Sequence, residues 1–588
     1  RSTLLASSAA SDVFKRQVPD TVKRIGADVF RDRDGLIKLT IGKNVTEIGD
    51  FAFYGCDALT SVVFAQDAAA GLKVGASAFA ECGRLSSISL PAGTVSIGAS
   101  AFYKCASLTQ FTIPEGVTEL GEKAFAESAL TTISIPSTVT YMGESKAGDG
   151  VDGGYYYFDV FENCLDLAWI DVAEANDAYA SKDGILYKKS VIDAEAETSQ
   201  YYISALAFCP RRNSGADGVV DVPSTVRAIW QNAFYMNQGV TKIVFGGGNG
   251  LEEVKDTVTG KVIEVSLTID EGAFYYCTSL SSVALPSGLT TIGSGTFNSC
   301  EALSEVVIPY TVSSIRAQAF WSCGKLETVV FEETPAGTEP VDLVIGESNS
   351  TLGAFSGTGL RTLTLPERTT ELGKLAFAGC SQLTELHLPS TLTTIGQQAF
   401  ANVPLEILTF AEGSRLKEIG SQVFANSGLT DVSLPEGLET IGLNAFKGSN
   451  LQSIVIPSTV TTINMNAFID CIYLERVTFA KDSAIEEIGS SAFNGCIRLE
   501  EVVFDGCAAE ALEIGSNAFS GCTSLASFAV PANVTEIGSS AFRYCISLGQ
   551  VTFETLQDEE TGKAYSGLGS IGGSAFANSV IQRPLHRG

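Results

Sequence analysis

Residues 303–323 read LSEVVIPYTVSSIRAQAFWSC, and the pattern in that stretch decides the fold. The segment before it, residues 280–300, reads LSSVALPSGLTTIGSGTFNSC, and residues 525–545 read LASFAVPANVTEIGSSAFRYC. All three fit one template, LxxIxIPxxVxxIGxxAFxxC. It returns every 22 to 26 residues where no insertion interrupts. A period of this length marks a solenoid, in which no unit can bury its apolar face alone and neighbours must cover it.

The spacing within a unit says how the coil is built. In residues 85–91, Ile88 and Leu90 follow the period of two expected of a strand, so Ser87 and Ser89 face the other way. Pro91 has no N–H for a continuing ladder and ends the strand. Ile97 begins a second short extended piece, and Gly98 permits the turn after it. Ala101 and Phe102 then point inward from the opposite wall, Cys105 closes the coil and Leu108 starts the next. Every unit runs the same way round, so the strands are parallel. The expected fold is a β-rich solenoid of about twenty coils, forming a single elongated arc or rod. With strands ~4.8 Å apart its length is on the order of 100 Å. Phe102, Phe297, Phe320, Phe377, Phe493 and Phe542 are assigned to the core, with Cys105, Cys300, Cys323 and Cys496.

The template resembles the BspA-like class of leucine-rich repeats, also called the Treponema pallidum type. The resemblance runs from about Val22 to Ala577 and lacks the asparagine ladder of other classes. Residues 181–187, SKDGILY, also resemble an Asp-Gly hairpin unit common in that family. The resemblance implies a leucine-rich-repeat surface protein that is secreted or displayed on cells and works in adhesion or ligand binding. It names no ligand.

The organisation expected is an irregular segment over 1–21, the repeat solenoid over 22–577 and an irregular tail over 578–588. Insertions fall at 143–160, 188–222, 245–266, 331–347 and 553–567, and such insertions become loops on one face. The net charge of −29 argues against nucleic acid, whose phosphates would be repelled. No apolar run reaches the roughly 18 residues of a membrane-spanning helix. The chain begins at Arg1 without a signal pattern, as a mature product or fragment would.

Catalytic and metal chemistry find little support. Twelve of the 14 cysteines share one template position, without CxxC pairs or nearby histidine, so they read as buried reduced thiols. His387 lies on a strand at an outward position, and His586 lies in the tail. Asp149 and Asp152 in GDGVDGG lack known calcium-loop spacing. A packed solenoid interior is expected to leave no cavity of active-site size. No catalytic, cofactor-binding or metal-ligating residue is assigned, and no cofactor is expected.

What remains is the outer wall. Its outward positions, such as Thr132 and Ser134 or Thr362 and Thr364, are small and rich in hydroxyls. Trp169 with Asp171 is the exception, close in sequence to the inserted Tyr155, Tyr156 and Tyr157. Large exposed aromatics are typical contact anchors. These five residues form the expected contact patch for a protein or glycan ligand of an extracellular or cell-surface module. The alternative is a cytoplasmic scaffold that arranges other proteins along its length.

Overall fold

The computed structural model describes residues 15–147, 155–191, 201–248, 252–255, 262–264, 267–557 and 564–580. The chain divides into two compact units, Arg1–Leu289 and Thr290–Gly588. Each is a parallel-strand β-solenoid, and no α-helix occurs among the described residues.

In the first unit each coil contributes one strand to each of two walls. The first wall carries the IxI part of the template. Lys15–Val18, Lys38–Ile41, Ser61–Phe64 and Ser87–Ile88 pair in parallel, one coil apart. The ladder therefore starts inside the segment expected to be irregular. Gln110–Thr112, Thr132–Ile135 and Trp169–Val172 continue the pattern as a three-stranded sheet. The second wall carries the residues before the template glycine. It is a six-stranded parallel sheet from Arg24–Ile25 to Tyr141–Met142. The second unit repeats the scheme. Ser453–Ile456, Arg476–Phe479 and Glu501–Phe504 lie on its first wall, and a seven-stranded parallel sheet from Glu418–Ile419 to Ser570–Ile571 lies on its second.

The AFxxC segment turns the corner between the walls. Its hydrogen bonds still form a ladder, although its backbone is irregular. Ser77, Phe79 and Glu81 donate their N–H groups to Ala99, Ala101 and Tyr103 of the next coil. This geometry puts the residues two before and two after the phenylalanine in the left-handed region, as at Ser100 (φ 55°) and Lys104 (φ 57°). The phenylalanines stack coil on coil. Ring centroids of Phe79, Phe102 and Phe125 are 5.5 and 5.4 Å apart, and the ring planes are nearly parallel. Phe355, Phe377 and Phe400 repeat this at 5.1 and 5.3 Å. These rings are fully buried, each contributing about 1.5–3 kcal/mol of transfer free energy.

The cysteine beside the ring does more than fill space. Cys105 Sγ donates to the carbonyl of Phe79, one coil back, at 3.3 Å. Cys82 does the same to Phe53, Cys323 to Phe297 and Cys496 to Phe468. The Phe79 carbonyl already accepts the Cys82 amide, so the thiol serves its second lone pair. Burial pushes the Cys105 and Cys323 thiols up to about 12, which keeps them protonated donors.

The inserted stretches carry antiparallel hairpins. Glu144–Ala147 pairs with Tyr155–Phe158. Tyr179–Lys182, Ile185–Val191 and Tyr201–Phe208 form an antiparallel meander, and Tyr201–Phe208 then pairs in parallel with Ala228–Ile229. Part of the expected insertion 188–222 is therefore wall. Leu556–Gln557 and Ala564–Tyr565 form a further small hairpin in the second unit.

Candidate functional site

Trp169 and Asp171 lie on the outward face of strand Trp169–Val172. Trp169 stands in register with Thr132, and Asp171 with Ser134. Both side chains are exposed, Trp169 by 48%. The tight turn at Asp183 (φ 53°) and Gly184 (φ 76°) holds the indole in place. Two successive left-handed residues form the two-residue hairpin turn that Asp-Gly favours. A Cβ on Gly184 would lie 2.7 Å from Trp169 Cδ2 and Cε3, so only glycine lets the indole lie against this backbone. Asn213 Nδ2 fixes the same corner by donating to Ala168 O at 3.1 Å and Asp183 O at 2.8 Å. Trp169 is thus rigidly seated and still half open.

Tyr155, Tyr156 and Tyr157 lie in the hairpin opposite Ala147, Lys146 and Ser145. That hairpin follows the second-wall strand Tyr141–Met142, whereas Trp169 and Asp171 lie on the first wall. The three tyrosine side chains, and Asp149 and Asp152 in the loop, lie outside the described residues. His387 is half-exposed, with its ring nitrogens 2.6 Å from Thr409 Oγ1 and 3.0 Å from Glu385 Oε1. It does not line the cavity found in the first unit.

The expectation of a cavity-free solenoid needs correction. The first unit contains a cavity of about 470 Å³, lined in part by Asp159, Asn163, Phe208, Arg211 and Tyr235. Its cause is a shortened corner. Leu206 pairs with Ile229 on the second wall. In the coil of Ile229, four residues separate that position from Phe234, whose amide donates to Ala273 O. In the coil of Leu206 the equivalent bond, to Ala233 O, comes from Cys209, with only two residues in between. The two corner residues that other coils place between glycine and Ala-Phe, the second of them left-handed, are missing. The coils before and after keep theirs, and a slot opens between them.

Phe158, Phe161 and Phe208 cluster at the slot, with ring centroids 5.7 to 6.2 Å apart and tilted instead of stacked. Arg211 spans the gap. One of its N–H groups donates to Asn163 Oδ1 at 2.6 Å, and its guanidinium lies 5.1 Å from the centre of the Tyr235 ring. Burial lowers its pKa, and the nearby acidic groups counter only part of that effect. Across the slot Lys123 pairs with Glu162 at 2.9 Å. Asp159 is almost wholly buried and accepts the Lys123 amide at 3.2 Å. Burial is the main cause raising its pKa above the usual carboxylate range. Sequence reading missed this site, although the signal was present: Cys209 departs from the cysteine position of the template and Pro210 follows it.

A chain of short coils with parallel walls and a buried phenylalanine stack is a solenoid repeat protein. The family described as BspA type Leucine rich repeat region (6 copies) matches residues 11–70, 72–146, 263–337, 351–475 and 439–581. These ranges cover well over half of the chain, and the chain belongs to that family. None of the curated proteins matches it. Among solved structures, a leucine-rich repeat protein from Bacteroides ovatus is 20% identical, covering 87% of this chain and 88% of its own, with a TM-score of 0.35. The pneumococcal vaccine antigen PcpA is 17% identical over 81% of this chain and 86% of its own, with a TM-score of 0.39. A leucine rich cell surface protein from Faecalibacterium prausnitzii is 20% identical over 86% and 96%, with a TM-score of 0.25. No helix among the described residues is long and apolar enough to cross a membrane.

Proposed function

We propose that this chain is a non-catalytic binding module, secreted or displayed at the cell surface, that engages a protein or glycan through its first wall and inserted hairpins. Trp169 carries the reading. It offers a large apolar ring in a sheet where Thr112, Thr132 and Ser134 are the small hydroxylated neighbours on the outward face, and Gly184 lets the ring lie against the hairpin backbone. A preset aromatic loses little freedom on binding, which is the property of a contact anchor. Asp171, two residues on, supplies a hydrogen-bond acceptor on the same face. Tyr155, Tyr156 and Tyr157 are proposed to extend the contact from the neighbouring hairpin. The acidic charge favours cationic partners and opposes nucleic acid.

The test is an array of glycans and matrix proteins probed with the purified chain and with Trp169→Ala. The variant is expected to lose the strongest signals while its far-ultraviolet spectrum stays unchanged. An identical binding profile for both would remove Trp169 from the contact surface.

A further inference from the structure

The slot beside Arg211 has a charge balance that packing does not explain. Four charged side chains line it. Two of them, Lys123 and Glu162, neutralise each other as an ion pair. Arg211 and Asp159 do not: among the described residues neither makes an ion pair with any group. Arg211 uses one N–H group on a neutral amide and keeps the rest of its five donors. Asp159 takes one backbone amide and has no cation within ion-pair distance, the Lys123 ammonium acting on it only from further off. Asp159 is almost wholly buried, and an unpaired buried charge costs stability; the half-buried Arg211, of opposite sign, faces the same cavity. Beside them lie the apolar rings of Phe158 and Phe208. The cavity's volume is in the range of small-molecule sites.

We propose that this slot binds a small zwitterion, an α-amino acid with an apolar side chain. Its carboxylate meets the Arg211 guanidinium, its ammonium meets the Asp159 carboxylate, and its side chain rests on Phe158 and Phe208. A simple anion would leave Asp159 unpaired and face its repulsion, and a simple cation would do the same at Arg211. A neutral sugar would compensate neither. Only a ligand that carries both charges at separate ends satisfies the two groups together. The site is distinct from the Trp169 surface and does not depend on it.

The experiment is calorimetric titration of the full chain with L-leucine, L-phenylalanine, N-acetyl-L-phenylalanine, L-phenylalanine amide and N-acetylglucosamine. The two amino acids are expected to bind with Kd of about 1 mM or tighter. Blocking either end, in the acetyl or amide compound, should weaken binding at least about tenfold, the loss of one charge-assisted bond. Arg211→Gln and Asp159→Asn should each do the same to phenylalanine, and Arg211→Lys should retain part of the affinity. Asp159→Asn keeps an acceptor for the Lys123 amide, so it tests the charge even if Arg211→Gln disturbs the fold. Trp169→Ala should leave amino-acid binding unchanged, which separates this site from the proposed contact surface. The proposal is overturned by absence of saturable amino-acid binding, by equal affinity for the blocked compounds, or by preference for the sugar.

Discussion

Ser427 stands where most coils place cysteine, three residues after Phe424, and it is the natural experiment on why cysteine is used there. Its hydroxyl is buried and has no hydrogen-bond partner. The longer carbon–sulfur bond lets a thiol reach the phenylalanine carbonyl one coil back, at 3.2 Å for Cys380 and 3.1 Å for Cys471. Two other serines at this position, the buried Ser128 and Ser449, turn instead to the sulfur of the next coil at 3.4 and 3.3 Å. Ser427 is followed by Ser449 and has no sulfur to meet. Ser427→Ala should therefore stabilise the second unit by removing an unsatisfied hydroxyl, a gain of about 1 kcal/mol at the low end of the desolvation penalty. Ser427→Cys should gain more. The sulfur adds close to 1 kcal/mol of buried apolar surface, and its bond to the Phe400 carbonyl adds about 0.5 kcal/mol, since thiols donate weakly. The expected order is Cys above Ala above Ser, with Cys roughly 2 kcal/mol above the present chain if no overpacking intrudes. Urea unfolding followed by circular dichroism reads the order as midpoints at constant slope. A cysteine variant no more stable than the alanine one would show that the thiol ladder contributes nothing beyond volume. Both variants falling below the parent would show that the hydroxyl is satisfied after all.

Two further perturbations test the corner. Asp159 has a folded pKa raised by burial, so its ionised form destabilises the fold at neutral pH, and that cost lifts as pH falls through the raised value. Asp159→Asn should raise the melting temperature at pH 7, with the advantage fading towards pH 4; an advantage that grew in acid would contradict the assignment. Asn466 sits at φ 60°, two residues before Phe468, in the left-handed region. Asn466→Val should cost about 1–2 kcal/mol and Asn466→Gly close to nothing, measured by the same urea titration. Equal losses would mean that the side chain, and not the backbone, matters there.

The phenylalanine stack was legible because it obeys a strict period: Phe377 and Phe400 occupy the same template position and meet face to face at 5.3 Å. The parallel walls follow from the same repetition, since units that run one way can pair in no other sense. Outward strand positions such as Thr132 and Ser134 were readable from alternation alone, and both are exposed. The cysteine position was recognised, but its hydrogen bond was not, because the acceptor is a backbone carbonyl in another coil. The slot was hidden for a different reason. Residues 188–222 read as an insertion, yet Tyr201–Phe208 belongs to the second wall. Only once Leu206 is aligned with Ile229 does the corner prove two residues short.

That shortened corner shows where a repeat protein of this kind can place chemistry. In a regular coil every inward group is matched by its neighbours above and below, and a charged side chain there would have no partner. Lys123 at its corner already departs from the rule, donating its amide to the Asp159 side chain where Ser100 uses the backbone oxygen of Glu122. Withdrawing two residues from the coil of Leu206 removes a layer of packing without breaking the wall, because Leu206 keeps its strand partner and Cys209 keeps the hydrogen bond from its amide. The coil thus pays no backbone hydrogen bond at either position, and the space gained admits Arg211 and Asp159. Stability comes from the period, and the proposed amino-acid site comes from its interruption. The coil most unlike the template is therefore the place to look first for a ligand.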